Sequence, residues 1–257
     1  MEEKMYENLY RLDDRHWWFR ARKNIVLRLI NKYFRPKSYF EVGPRSSRKI
    51  FDIGCGTGMI LQSLSKYGEQ WGIDSDRGVT DFARQKNPAA KIIHGFFPQD
   101  APSEKFDLVT ALDVLEHIND DEAALSKIYD VLKPGGLAVV TVPALAFLWT
   151  GHDIASHHKR RYGVRELGSK LKNAGLRVEK ISYCNTFLFL PIAVAKIAQR
   201  ALFRNKVRSH LDGDLPIPWM NKLLEAVFSA EKYLLSGVNF PFGISIIAVA
   251  SKPNDQK

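Results

Sequence analysis

The stretch Ile50-Phe51-Asp52-Ile53-Gly54-Cys55-Gly56-Thr57-Gly58 runs from apolar, β-prone residues into an acid and then three glycines. Glycines lack the Cβ atoms that hold a ligand away from backbone, and they tolerate positive φ. Met59 to Leu64 then has helical spacing, so the unit reads as strand, glycine loop, helix. A dinucleotide site wants G-x-G-x-x-G, with the pyrophosphate on the helix N-terminus. Here the third glycine comes one residue early and Met59 stands in its place. A phosphate loop would need Gly-Lys-Ser/Thr after its glycines, and no such run is present. Asp52 would repel a phosphate but would suit a cation. The densest ionisable cluster lies further on, at His152, Asp153, His157 and His158, followed by Arg160-Arg161-Tyr162. A histidine oriented by an aspartate can act as general base, and paired arginines can clamp a carboxylate or phosphate. The bland alternative is arginines spent on acidic partners and histidines capping a turn.

Further motifs follow the loop at regular intervals. Gln70-Trp71-Gly72-Ile73-Asp74 reads as a second strand ending in an acid, placed to accept both hydroxyls of a ribose. Phe106 to Ala111 is a buried strand leading into Asp113-Val114-Leu115-Glu116-His117, and Leu132-Lys133-Pro134-Gly135-Gly136 is a turn before the strand Leu137–Pro143. Together these resemble motif I, the second-strand acid, the fourth-strand segment and the Leu-Lys-Pro-Gly-Gly turn of the class I S-adenosylmethionine (SAM)-dependent methyltransferases. The flanks 10–20, 157–162 and 240–245 resemble a bacterial group of that family whose acceptors are uncharacterised. The resemblance implies SAM as cofactor. It implies a Rossmann-like α/β fold of seven mostly parallel strands with the last antiparallel, carrying an N-terminal helical lid and a helical insertion before the last strand. It also assigns Asp52, Gly54, Cys55, Gly56 and Gly58 to the methionine end, Asp74 and Ser75 to the ribose, and Asp113 and Val114 to the wall of the site. Phe96 and Phe97 fall where the family often has an acid for the adenine amino group. A phenylalanine cannot accept that hydrogen bond, so adenine would be read by backbone and stacking, with Asp100 as a substitute acid.

The elements that must position these residues can be read from periodicity. Residues 6–34 look helical, with Ile25, Val26, Leu29, Ile30 and Tyr33 on one face. Residues 36–48 form a polar connector, and alternating strands and helices then imply a largely parallel sheet. The organisation expected is a lid at 1–48, a SAM-binding core at 49–183, a helical insertion at 184–242 and a final strand and tail at 243–257. His16, Trp17 and Trp18 are too aromatic for an exposed tail; they either cover the cofactor cleft or anchor the N-terminal helix. In the insertion, the apolar run 186–195 is shorter than the ~20 residues that span a bilayer. The basic amphipathic stretch that continues it to Arg208 either packs as a cap or dimer element or lies in a membrane interface.

The 257 residues suit one embellished α/β domain, and 45% hydrophobic content supports a real core. Two cysteines supply no disulfide framework, and no apolar leader opens the chain; cytoplasmic residence is the expectation, with peripheral contact at the inner face of the membrane as an extension of it. The net charge of +10 is concentrated at 11–49 and 157–208, which would attract nucleic acid, anionic lipid or an acidic substrate. The favoured acceptor is small and anionic or lipid-linked, with oxygen preferred over nitrogen or carbon, acting in a monomer or homodimer. Rival readings are an RNA-directed methyltransferase or RNA-binding module, which lacks a supporting amino-methylation motif, and a non-catalytic SAM-binding protein. His157 or His158 is the preferred base, then His152, with His117 beside the expected methyl position. Asp113, Glu116 and His117 sit on one short segment, a poor arrangement for surrounding an ion, and no metal is expected.

Overall fold

Strand alternation sets the layers of the molecule, since successive side chains in a strand face opposite sides of the sheet. The computed structural model describes residues 2–34, 48–202 and 217–254. Its strands are β1 (Lys49–Ile53), β2 (Glu69–Asp74), β3 (Lys91–His94), β4 (Phe106–Leu112), β5 (Leu132–Pro143), β6 (Arg177–Cys184) and β7 (Ser245–Ser251). They form one sheet in the order β3-β2-β1-β4-β5-β7-β6. β7 runs antiparallel to both β5 and β6, while β1 to β5 pair parallel. The expected doubly wound sheet with a reversed last strand is therefore what forms.

The helices are α1 (Glu2–Arg15), α2 (Trp17–Tyr33), α3 (Met59–Leu64), α4 (Arg77–Lys86), α5 (Asp121–Val131), α6 (Gly151–Ala155), α7 (Val164–Asn173), α8 (Phe189–Leu202) and α9 (Pro218–Leu235). On one face of the sheet, Phe51, Val109, Ala138, Val140 and Ala248 pack with Leu125 and Ile128 of α5 and Leu167 and Leu171 of α7. On the other, Ile50, Leu108, Val139, Ile247 and Val249 meet Ile25, Val26, Leu29 and Ile30 of α2. The apolar stripe on α2 thus makes this segment a layer of the core as well as a lid. The helix expected over 6–34 is broken at His16, whose Nδ1 accepts the Trp18 N–H at 3.3 Å and caps α2. Side-chain caps also start α4 and α5, where Asp76 accepts from Val79 N and Asp120 from Ala123 N. The expected turn at 132–136 is a kinked entry to β5, with Gly135 at φ 75° and a register shift against β4.

The insertion is folded onto this frame. Trp17 sits edge-on to Phe228 at 6.1 Å, Asn221 Oδ1 accepts the Trp17 N–H, and Arg20 pairs with Glu225 at 2.9 Å. Glu231, fully buried, accepts the backbone N–H groups of Asn185, Thr186 and Phe187 at 2.6–2.8 Å. That carboxylate staples α9 to the chain leaving β6. α9 is therefore a buttress behind the N-terminal helices. Of the expected basic amphipathic stretch, α8 is described to Leu202; Arg204, Lys206 and Arg208, like the connector at 36–47, lie outside the described residues. Among the described residues no helix is long and apolar enough to cross a membrane.

Candidate active site

The glycine loop emerges at the carboxyl end of β1, where open α/β sheets place their ligands. Gly54, Gly56 and Gly58 all take left-handed conformations, φ 67°, 53° and 79°. A Cβ at Gly54 would meet Val114 Cγ2 at 2.4 Å, and one at Gly58 would meet Asn87 Nδ2 at 2.4 Å. At Gly56 a Cβ would meet nothing within 4 Å, so that backbone faces open space. Asp74, ending β2, accepts the Gly56 N–H through Oδ2 at 2.9 Å and the Asp76 N–H through Oδ1 at 3.1 Å. Gly54 N and Cys55 N both donate to Ile73 O, so β2 holds the loop in shape. Cys55 and Cys184 are buried free thiols whose pKa values burial pushes well up; they are inert small residues here.

Over the loop lie α1 and α2. Thr57 Oγ1 donates to Asp13 at 2.8 Å, and the Arg22 guanidinium stacks 4.5 Å from the Trp18 ring centroid while pairing with Asp113. Together they enclose a cavity of about 160 Å³ lined by Asp13, Phe19, Arg22, Asp52, Gly54 and Met59 among others. Burial pushes the Asp52 carboxyl up to about 7, against the lowering effects of the Thr110 hydroxyl at 2.6 Å and of Arg22. Its Oδ2 is buried without a hydrogen-bond partner. Burial likewise lowers Arg22 to about 10, opposed by Asp13, Asp52 and Glu116. Asp113, at φ 58°, accepts from Thr141 through Oδ1 and presents Oδ2 to Arg22.

A second constellation gathers beyond β4. Asp153 is fully buried and held bidentately by Arg161, at 2.8 and 3.0 Å, and by Thr150 N at 2.8 Å. Its Oδ1 also lies 2.9 Å from His158 Nδ1. Although burial opposes ionisation, the His158 and Arg161 bonds hold the Asp153 carboxyl far below the usual range. The His158 ring stacks edge-on against His117 at 4.8 Å. Glu116, 0% exposed, sits with them; burial raises it to about 8, and neither of its oxygens has a hydrogen-bond partner. Desolvation and then the neighbouring His158, His157 and Lys159 push the His117 imidazole down to about 4.

A methyltransferase-domain family model matches residues 16–181, well over half of the chain. The chain belongs to the class I SAM-dependent methyltransferase family. A Mycolicibacterium smegmatis protein named as a probable S-adenosylmethionine-dependent methyltransferase is 26% identical over 172 residues, covering 65% of this chain and 62% of that one. A ubiquinone biosynthesis O-methyltransferase of Coxiella burnetii is 28% identical over 126 residues, covering 47% and 53%. The chain thus spans less than two thirds of the length of these curated relatives. In fold it is similar to the N-methyltransferase NodS of Bradyrhizobium japonicum in complex with S-adenosylhomocysteine, with TM-score 0.57 at 17% identity, covering 95% and 91%.

The residues present in this chain fit SAM. The orphaned Asp52 oxygen suits an ammonium, Arg22 and Lys23 suit a carboxylate, and Asp74 keeps acceptor capacity for hydroxyls. The partly open cavity of about 160 Å³ is smaller than the ~300 Å³ floor for whole-ligand pockets, a size that suits part of the cofactor. Val114 packs on Gly54, and Ser75 follows Asp74 with its carbonyl 3.2 Å from His94 Nε2. Phe96 is 63% exposed just after β3, with Phe97 half-buried against Phe51. Asp100 departs from the substitute-acid expectation: it accepts the Phe96 N–H at 2.7 Å and packs under Gly95, closing its own turn.

Other expected site residues separate on inspection. Trp17 anchors α9 and His16 caps a helix, so Phe19 and Arg22 supply the cleft-facing groups expected of that motif. Arg160 pairs with Asp121 at 2.8 Å and donates to Asn119 O, Arg161 is buried on Asp153, and Tyr162 is buried with its hydroxyl on Asp121. Of this trio, expected to clamp substrate, Arg160 and Tyr162 instead tie the segment to Asp121 of α5, and Arg161 ties it to Asp153 of α6 and to Ala144 O. His157 is exposed at φ 55° and stands apart from the Asp153 contact that His158 makes. His152 lies in α6, with its side chain outside the described residues. Phe19 belongs to the aromatic motif His16–Phe19, whereas Asp13, Arg22 and Lys23 carry no site expectation from sequence. The one local signal is for Arg22, which follows Trp18 by one helical turn.

Proposed function

We propose that the protein transfers a methyl group from SAM to an oxygen of a small anionic or lipid-linked acceptor presented at the Glu116–His117–His158 cluster. Bound SAM supplies an activated methyl on a sulfonium. The chain aligns the acceptor, excludes water and takes charge of the acceptor's proton. The observation that carries the reading is the pairing of an unpartnered buried Asp52 oxygen with a glycine cradle braced by Asp74. The cluster lies on the segment leaving β4, directly after Asp113 and Val114. An oxygen acceptor is favoured by the match to proteins named ubiquinone biosynthesis O-methyltransferases. Calorimetry with SAM and S-adenosylhomocysteine tests the cofactor site. Asp74→Ala removes both the loop brace and the ribose acceptor, each a charged hydrogen bond of about 1.5–3 kcal/mol. At least a hundredfold weaker binding is expected; a wild-type protein that binds neither ligand would defeat the reading.

A second feature favours peripheral membrane contact. Leu190, Val194 and Ile197 on α8 are 70%, 57% and 54% exposed at i, i+4 and i+7 spacing, with Phe187 exposed beside them. A stripe of this kind on a basic chain suits an anionic lipid interface. Flotation with anionic liposomes should carry wild type upward and leave Leu190→Asp/Val194→Asp behind. Equal behaviour of the two would remove the stripe as a membrane contact, and a dimer that the double variant dissolves would assign it to packing between copies.

A further inference from the structure

The geometry points to a divalent transition-metal site formed by Glu116, His117 and His158. One ligand atom from each of the three residues lies within 4.8 Å of the others. Coordination at 2.0–2.1 Å places such donors roughly 3.4 Å apart, so ion binding would draw the three side chains together. The carboxylate is the decisive member. Glu116 is completely buried, and neither oxygen has a hydrogen-bond partner. A buried carboxylate left in that state costs several kcal/mol unless a cation or proton compensates it.

The surroundings have the form of a metal centre's outer layer. Metal-bound histidines are oriented by a carboxylate on the ring nitrogen not used for the ion. Asp153 makes that contact with His158 Nδ1 at 2.9 Å, and is itself immobilised by Arg161 and the Thr150 backbone. The two chain segments are fixed to each other as well: Lys159 N donates to Glu116 O at 2.8 Å and Arg160 to Asn119 O at 2.6 Å. Two imidazoles and one carboxylate suit zinc, cobalt, manganese or ferrous iron rather than magnesium or calcium, which prefer all-oxygen shells. Three protein ligands leave a position open, as catalytic sites do. No metal was expected from sequence because Asp113, Glu116 and His117 share one short segment. Asp113 is spent on Arg22, and His158 arrives from beyond β5 to complete the set.

Resting on the oxygen-acceptor reading, the open position would take the acceptor hydroxyl. Coordination would lower its pKa, as it does for bound water; the O–H proton would leave to solvent past the exposed His117, the oxygen would form its bond to the methyl carbon as the methyl–sulfonium bond breaks, and S-adenosylhomocysteine would depart with that electron pair. The test is titration of chelator-treated full-length protein with Co²⁺, followed by visible absorption, and with Zn²⁺ by calorimetry. One equivalent of Co²⁺, displaced by Zn²⁺, is expected. His117→Ala and His158→Ala should each weaken binding by about tenfold or more; His117 is exposed, so its variant keeps the fold, as circular dichroism will check. Absence of saturable binding, or binding unchanged in both variants, overturns the site. SAM titration of the same samples separates the readings: SAM bound without Co²⁺ rejects the metal alone, and Co²⁺ bound without SAM rejects the methyltransferase reading alone.

Discussion

Asp52→Asn should make the ligand-free protein more stable at pH 8 while weakening its hold on SAM by ten- to a hundredfold. The stability gain follows from a folded-state pKa raised to about 7 from 3.8, chiefly by burial. Between those values the folded chain keeps a proton that the unfolded chain has released, so folding stability falls as pH rises. The penalty is absent below pH 4, grows to pH 7 and is constant above it. Some three pK units correspond to about 4 kcal/mol as a ceiling, reduced by the amide that asparagine leaves unpartnered where Oδ2 now stands. Asparagine can keep the hydrogen bond from Thr110 Oγ1, so the site does not collapse. The affinity loss follows because a neutral amide forgoes a charged hydrogen bond to an ammonium, about 1.5–3 kcal/mol. Thermal unfolding from pH 4 to 8, paired with SAM calorimetry, reads both effects. A variant no more stable than wild type at pH 8 would deny the burial penalty, and one that binds SAM equally well would place Asp52 outside the cofactor site.

The cradle was legible in the sequence because its demands are local. Three left-handed backbone positions favour glycine at 54, 56 and 58, and an acid ending a strand can be recognised from its neighbours. The lid resisted reading for the opposite reason. Asp13, Phe19 and Arg22 converge only when α1 and α2 dock on the sheet, and nothing in their local spacing announces that cavity. Adjacent residues proved hardest to separate. Arg160 and Arg161 are one residue apart, yet one spans to Asp121 at the partly exposed surface while the other is buried on Asp153. His157 and His158 diverge because His157 adopts φ 55°, turning the chain so that only the second imidazole reaches Asp153. Such choices are made by tertiary partners, and sequence alone left both histidines equal.

Asp153→Asn should have the opposite sign to Asp52→Asn at neutral pH. It removes the charge that holds a buried guanidinium, and breaking one side of such a pair costs about 3–5 kcal/mol because the other charge is left uncompensated. Arg161 keeps its hydrogen bond to Ala144 O at 2.9 Å and can keep one to the asparagine carbonyl oxygen, but neither supplies a counter-charge. The pH dependence inverts too. Asp153 has a folded-state pKa depressed by His158 and Arg161, so its contribution is complete above the unfolded carboxylate value and disappears as pH falls below about 4. The stability gap between wild type and Asp153→Asn should therefore be widest at neutral pH and narrow in acid, whereas the Asp52→Asn gap opens between pH 4 and 7. SAM affinity should hold in Asp153→Asn at temperatures where it remains folded, because Asp153 lies outside the cofactor cavity. Its His158 ring, however, loses the contact that orients it, so Co²⁺ affinity should drop by about ten- to a hundredfold, the usual effect of losing such a supporting carboxylate. A variant that binds Co²⁺ like wild type would show that Asp153 serves the fold alone, through Arg161.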